Sequence, residues 1–352
     1  MVPKILLIDF EASGHHIDLY WRTLERLCTD YEITKLIPGK FKNNINTPFK
    51  NDVLFFDTQE NLIQKIEEIA FANDHLILFI SADYIQFSLA LKLLKYSKHK
   101  LRFLYIKSLS VRTLHLKSIL KYTKRYILSY LLLHGNDRKI AYIEKDAVKS
   151  WSRFLDRSKL HFIPDLYIEP RYIQTEGKVT DSYILVIGAI TKRKNIALLI
   201  DSLEQAQLKF KVKIRGKIDE KIMKFLQKKC KVNKFTMLDY KNEFISREQY
   251  YQYIRDAEII WLCYTGYDVG SSGVLLDSIF FRKPILATRF GYMGSLLSDG
   301  ANIKLFSSLK LIPKTELIQD WSRLIVDDDF RKKLLSDHSS TEIKKNLGEF
   351  FR

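Results

Sequence analysis

Short apolar runs of strand length alternate with longer amphipathic runs of helical length along almost the whole chain. A strand that is apolar at nearly every position cannot leave either face in water. The rhythm therefore predicts mainly parallel sheets covered by helices on both faces, an α/β fold. The first half reads as strand Val2–Asp9, helix Ile17–Cys28, strands Tyr31–Ile37 and Asp52–Phe56, helix Glu60–Ala72, strand Leu76–Ser81, helix Tyr84–Tyr96 and strand Leu101–Ile106. A long basic helix follows, then strand Lys139–Ile143, helix Asp146–Leu155 and strand Leu160–Ile163. The stretch Asp165–Ser182 holds Pro170 and Gly177, has no clear period and reads as a linker. A second unit then runs through strand Tyr183–Ile187, helix Ile196–Gln205, strand Lys211–Arg215, helix Glu220–Cys230, strand Phe235–Leu238, helix Ser246–Ala257 and strand Glu258–Leu262. A helix beginning near Ser272 and a strand Pro284–Ala287 come next, and two helices close the chain from about Glu316.

The length of 352 residues fits two such domains. The expected organisation is a first domain at 1–168, a linker at 169–182, a second domain at 183–335 and a terminal helix at 336–352 packing back toward the first domain. With 46% apolar and 28% charged residues, the chain can fill a sizeable core and is not globally disordered. Cys28, Cys230 and Cys263 lie far apart, which supports neither a disulfide framework nor a cysteine zinc site and fits a reducing compartment. No segment approaches the roughly 18 uninterrupted apolar residues of a membrane span. The opening MVPKILLIDF leads straight to Asp9 and Glu11 and reads as a first strand rather than a leader peptide, so a cytoplasmic location is expected.

The net charge of +17 is unevenly spread: residues 92–139 hold 13 Lys and Arg against one acid, Asp137. Within them RTLHLKSILKYTKRYILSYLLLH reads as a helix with Lys117, Lys121 and Lys124 on one face and apolar Ile119, Leu120, Ile127, Leu128 and Leu131. Tyr122, Tyr126 and Tyr130 recur every four residues and suit a lipid headgroup boundary. Three readings stay open here: a surface helix with snorkelling lysines, contact with an anionic membrane, or nucleic acid. No zinc-finger or RNP-like pattern supports the last, so no nucleic acid is expected.

Four loops carry chemistry-bearing residues at the predicted carboxyl ends of strands, where open α/β sheets bind ligands. In Ile187-Gly188-Ala189-Ile190-Thr191-Lys192-Arg193-Lys194-Asn195, Gly188 allows a tight exit from the strand, and Arg193 and Lys194 precede a helix where they could meet a phosphate. The same residues suit a basic surface turn. The segment matches neither the GxGxxG fingerprint nor a Walker A loop. In Gly266-Tyr267-Asp268-Val269-Gly270-Ser271-Ser272-Gly273-Val274-Leu275-Leu276-Asp277, Ser271 or Ser272 can cap the next helix. The free amides of that helix start favour a phosphate, and Asp277, one turn in, can accept from sugar or ribose hydroxyls. A capped helix after a glycine loop is the plainer reading. Thr288-Arg289-Phe290-Gly291-Tyr292-Met293-Gly294 reads as a loop on the same ligand edge or as an ordinary glycine turn. Glu11-Ala12-Ser13-Gly14-His15-His16 joins the first strand to the first helix. Gly14 permits close approach, and His15 or His16 suits proton transfer or phosphate binding, or simply an N-terminal turn. Adjacent histidines do not have the spacing of a zinc helix. Asp327-Asp328-Asp329 reads as a solvated helix boundary, so no metal is expected.

The segments GAITKRKNIALLIDSL at 188–203 and GSSGVLLDSIFFRKPILATRFG at 270–291, with ASGHHIDLYWRTL at 12–24, resemble the GT-B glycosyltransferases, specifically retaining glycosyltransferase family 4. The resemblance implies two Rossmann-like domains facing across a cleft, the second holding a nucleotide-sugar and the first an acceptor. Lys194 looks like the family's donor-phosphate lysine. Asp277 stands where the family has its ribose-binding glutamate, and Val269 where it has its first glutamate, with Asp268 adjacent. Ala189 occupies the place of a phosphate-binding arginine, which Arg193 would replace.

The implied function is sugar transfer from a nucleotide-diphosphate sugar to an acceptor hydroxyl, with retention, in polysaccharide or glycolipid synthesis. Arg193, Lys194, His15 and His16 are the expected catalytic residues. Gly188, Lys194, Asp268, Ser271, Ser272, Gly273 and Asp277 are expected to hold the donor, and Gly14, His15 and His16 to line the acceptor side. No cofactor is expected, since the nucleotide-sugar is itself a substrate. The expected partners are that donor, a saccharide or lipid-linked acceptor, and an anionic membrane contacted through residues 92–139 on its cytoplasmic face. The competing functions are a non-catalytic sugar-nucleotide or glycan-binding scaffold and a phosphorylase or sugar-phosphate transferase.

Overall fold

The computed structural model describes residues 2–11, 20–44, 53–70, 75–96, 98–106, 116–166, 182–232, 236–265, 272–288, 296, 304–306 and 327–352. The chain divides into two compact units, one formed by Met1–Ile168 with Ser336–Arg352 and the other by Glu169–Leu335.

The first unit is built on seven strands: β1 Lys4–Asp9, β2 Glu32–Pro38, β3 Val53–Phe56, β4 Leu76–Ile80, β5 Leu101–Tyr105, β6 Arg138–Tyr142 and β7 Leu160–Phe162. All pair in parallel, in the order β3-β2-β1-β4-β5-β6-β7. Every residue of β4 and β5 is buried, so helices must cover both faces. Helices α1 Arg22–Leu27, α2 Gln59–Ile69, α3 Phe87–Leu93, α4 Leu116–Leu132 and α5 Lys145–Trp151 supply most of that cover. Leu62, Ile66, Leu89, Leu93, Leu128, Leu132 and Trp151 bring α2 to α5 into one core. Leu24 and Leu27 of α1 share the other core with Ile343, Leu347 and Phe350 of the terminal helix Ser340–Phe351.

Arg102, on β5 and fully buried, secures that terminal helix. Its guanidinium pairs with Asp137 at 2.7 Å and donates to the carbonyls of Phe350 and, at 3.0 Å, Phe351. A cation placed on the last carbonyls of a helix satisfies acceptors that have no intrahelical partner.

The basic helix α4 departs from expectation in one respect. Tyr122 and Tyr126 turn inward rather than toward a lipid boundary. The Tyr122 ring stacks on Trp151 at 4.4 Å, and both tyrosines pack against the core. Large flat rings gain more by filling the gap between α4 and α5 than by lying in water. Arg125 is likewise engaged, bonded at 2.6 Å to the buried carboxylate of Asp83. Tyr130, Leu120 and Ile127 remain exposed. The helix expected over Tyr84–Tyr96 is broken, with α3 flanked by 3-10 turns at Ala82–Tyr84 and Leu94–Tyr96.

The second unit has six parallel strands: β8 Ile184–Ile187, β9 Lys211–Gly216, β10 Met237–Asn242, β11 Ile259–Leu262, β12 Ile285–Thr288 and β13 Lys304–Phe306, in the order β10-β9-β8-β11-β12-β13. Helices α6 Ile196–Gln205, α7 Glu220–Val232, α8 Arg247–Asp256 and α9 Gly273–Phe280 accompany them. Ser246 and Gln249 close a reciprocal capping box at the start of α8. Strand β13 is absent from the sequence reading, because three residues are too few to show a period. The Asp327–Asp329 run begins the helix Asp328–Asp337. The Asp327 carboxylate accepts from the amides of Asp329 and Phe330, and Asp328 pairs with Arg282.

His161 on β7 sets a pH limit on the first unit. Burial, then the charges of Lys139 and Arg102, pull its pKa down from 6.5 to about 4, against an opposing pull from Glu349. The unfolded chain therefore binds a proton that the folded chain refuses, and stability falls as pH drops from about 6.5 toward 4. Replacing His161 with Gln is expected to flatten the urea-unfolding midpoint over that pH window while leaving it nearly unchanged at pH 8.

Candidate active site

Each sheet reverses its strand order once, between β1 and β4 in the first unit and between β8 and β11 in the second. Helices leave such a point on opposite faces and open a crevice beyond the strands' carboxyl ends.

In the second unit, Gly188 takes the chain out of β8 at φ +95°, and its amide donates to Arg215 O at 3.0 Å. A 3-10 turn, Lys192–Lys194, then leads into α6 through Asn195 at φ +51°. This turn separates neighbouring cations: Arg193 is exposed while Lys194 is 6% exposed. The Lys194 Nζ donates to Ile187 O at 2.9 Å and to the Tyr264 Oη at 2.5 Å. Tyr264 lies just beyond β11, and its ring lies 4.5 Å from the Lys194 ammonium and 5.4 Å from the Arg193 guanidinium.

Several bonds hold this corner together. Trp261 Nε1 donates to Lys194 O at 3.0 Å, the Thr265 amide to Arg193 O at 2.8 Å, and Thr288 Oγ1 to Tyr264 O at 3.1 Å. The ends of β8, β11 and β12 are thereby joined. Ser272, at the start of α9, brings its Oγ to 3.4 Å from the Tyr264 Oη. A Cβ placed on Gly188 would lie 3.9 Å from both Lys194 Nζ and Val274 Cγ2. The 188–195 loop and the N-terminus of α9 therefore meet at one place.

Ser272, one of the two caps the sequence offered, occupies the N-cap position of α9, but its side chain makes no capping bond. Its hydroxyl faces Tyr264 instead. Asp277 is buried one turn into α9, and its Oδ2 accepts from Tyr250 Oη of α8 at 2.8 Å. Gly273 is the first residue of α9. Gly14, His15, His16, Asp268, Val269, Ser271 and residues 289–294 lie outside the described residues.

At the reversal in the first unit, the buried Asp9 ends β1. Its carboxylate accepts from the Glu11 amide, Ser81 Oγ and Trp21 Nε1, each at 3.0 Å. Ser81, at the end of β4, adopts φ +59°. Among the described residues no group of three or more His, Cys, Asp or Glu is placed to hold a metal ion.

Sequence reasoning missed Tyr264, Tyr250, Trp261 and Asp9. Tyr264 and Asp9 had a usable signal, since polar residues at the carboxyl ends of central strands border the expected crevice. Tyr250 had none, because its partner lies 27 residues away on another helix.

Solved structures share this architecture over nearly the whole chain. HepE of Anabaena, solved with UDP-glucose, superposes with a TM-score of 0.67 at 15% identity, covering 98% of each chain. A glycosyltransferase of Rickettsia africae gives 0.67 at 12% identity, covering 99% of this chain and 97% of its own. The lipopolysaccharide outer core galactosyltransferase WaaB gives 0.64 at 12% identity, with 99% and 98% covered. The fold is that of the GT-B glycosyltransferases. In sequence, an uncharacterised glycosyltransferase of Methanocaldococcus jannaschii is 25% identical over 165 residues, which is 47% of this chain and 40% of that relative's length. No protein-family profile matches the chain.

The GT-B corner at β8 and β9 depends on the absence of one side chain. A Cβ on Gly216, at φ +127°, would lie 2.1 Å from Gly188 O, which is backbone and cannot swing aside. Gly216→Ala is expected to lower stability by about 3 kcal/mol in urea unfolding. Gly348→Ala, with nothing within 4 Å in the terminal helix, is expected to raise it by about 0.5–1 kcal/mol.

Proposed function

We propose that the protein transfers a sugar from a nucleotide-diphosphate sugar to an acceptor hydroxyl, with retention of anomeric configuration, in polysaccharide or glycolipid synthesis. One observation carries this reading: Lys194 and the N-terminus of α9 converge on Tyr264 at the strand-order reversal of a GT-B sheet. A buried ammonium beside the start of a helix, whose first amides have no intrahelical acceptor, suits a diphosphate. In the reaction the bond between sugar C1 and the diphosphate oxygen breaks, C1 bonds to the acceptor oxygen, and the acceptor proton passes to the departing diphosphate. Negative charge grows on that diphosphate. In this reading Lys194, the exposed Arg193 and the amides around Ser271–Gly273 stabilise it, which the burial of Lys194 beside the start of α9 supports.

Asp277 takes the role of ribose acceptor in this reading, with Tyr250 orienting its carboxylate. Gly188 and Gly273 admit the donor by lacking side chains, and Asp268 stands in for the missing first glutamate at Val269. Gly14, His15 and His16 serve the acceptor. HepE was solved with UDP-glucose, which makes UDP-sugars the first donors to test.

The acceptor is proposed to be a lipid-linked saccharide at an anionic membrane. Supporting this, Leu120, Ile127 and Tyr130 of α4, Phe87 and Leu91 of α3, and Phe154 are all exposed, with Lys124 among them. Such mixed apolar and cationic surface suits an anionic bilayer. Among the described residues no helix is long and apolar enough to cross one.

Two measurements test these readings. In calorimetry, Lys194→Ala is expected to weaken UDP binding by about tenfold to hundredfold, the loss of a charge-assisted bond, with Lys221→Ala unchanged. Turnover of UDP-, GDP- or dTDP-sugars by the wild type would separate an enzyme from a binding scaffold. Sedimentation with anionic vesicles is expected to fall when Leu120 and Ile127 become Ser, or when Lys117, Lys121 and Lys124 become Gln. Equal binding to zwitterionic vesicles would remove the anionic lipid from the proposal, and binding to neither would remove the membrane.

A further inference from the structure

Tyr264 is 1% exposed, and it touches every group proposed to hold the diphosphate that the structure describes in side-chain detail except the glycines and Asp277. Its bonding has a direction. The Lys194 ammonium can only donate, so the Tyr264 oxygen accepts from it. The phenol proton then needs an acceptor of its own, and among the described residues Ser272 Oγ lies within reach at 3.4 Å, in a contact where either oxygen can donate. Ser272 is itself buried, and its hydroxyl makes no cap to α9. With Tyr264 as the donor, the Ser272 proton is left for a ligand at the start of that helix.

We propose that Tyr264 is a positioning residue for the donor diphosphate, fixing the Lys194 ammonium with its oxygen and, through its own proton, turning the Ser272 hydroxyl toward the same phosphate. The inference rests on the nucleotide-sugar reading above. Its physical basis is preorganisation. A lysine has a long flexible stem, and holding its charge in place before the ligand arrives removes an ordering cost from the binding step. The Tyr264 ring, lying against both Arg193 and Lys194, adds attraction for both cations.

The test is a double-mutant cycle in calorimetry, using whichever of UDP, GDP and dTDP the wild type binds, with the bare nucleoside as the second probe. Tyr264→Phe removes only the hydroxyl. It is expected to weaken the nucleoside diphosphate by about tenfold and the nucleoside by less than about twofold. In a Lys194→Ala background the same change is expected to cost clearly less, about threefold or below, because one of the two groups it positions is gone. Full-sized loss in that background, equal losses for both probes, or diphosphate binding unchanged by Tyr264→Phe would each overturn the inference. Should Tyr264→Phe fail to fold, Ser272→Ala and Ser272→Thr replace it. Threonine keeps the hydroxyl and is expected to retain diphosphate affinity that alanine loses, and equal losses would again overturn the inference. A wild-type protein that binds none of the three nucleoside diphosphates would sink the nucleotide-sugar reading itself. A binding wild type with an indifferent Tyr264→Phe sinks only the role of Tyr264.

Discussion

Parallel strands buried on both faces are the constraint from which the rest of this structure follows. Strands β4, β5, β8, β11 and β12 have no exposed residue. Each must be flanked by paired neighbours and sandwiched between helices. Every crossover then returns over a face of the sheet, and the loops that begin the crossovers gather at the strands' carboxyl ends. Polar chemistry has its place there because the sheet interior excludes it.

Two arginines that enter the sheets are paired with aspartates, one in each unit, by the same device. Arg102 on β5 bonds the carboxylate and carbonyl of Asp137, just before the neighbouring strand β6. Arg215 on β9 bonds the carboxylate and carbonyl of Asp239 on β10. In both, a bidentate guanidinium joins adjacent strands, and the aspartate keeps a burial-driven loss of charge in check. Lys194 differs from these arginines. Among the described residues its partners are a carbonyl and a phenol rather than a carboxylate, so its positive charge is positioned but not neutralised by them. A buried cation at the carboxyl edge of the sheet, with no carboxylate among its described partners, is a feature an anionic ligand would complete.

Much of the architecture was legible along the chain. Helix Ile196–Gln205 and the strands around Lys4–Asp9, Leu76–Ile80 and Leu101–Tyr105 follow from apolar spacing to within a few residues. The cations of the 188–195 loop and the small residues before α9 also stood out, since glycine and lysine in those positions have few structural uses. The inward turn of Tyr122 and Tyr126 was not legible. Their four-residue spacing marks a helix face, but only Trp151 on the facing helix α5 decides that the face is covered.

The sequence by itself determined the layered α/β plan and which loops gather glycine, serine, lysine and arginine. Each is a local property of composition and period. Tertiary structure alone decided that Lys194 is buried while Arg193 is not, that Ser272 faces Tyr264 instead of capping its helix, and that Tyr250 reaches Asp277. These outcomes depend on strand order and on the hand of the crossovers, which bring β8, α8, β11 and α9 side by side across gaps of 8 to 70 residues. Periodicity along a chain carries no record of which distant loops will share one edge of a sheet.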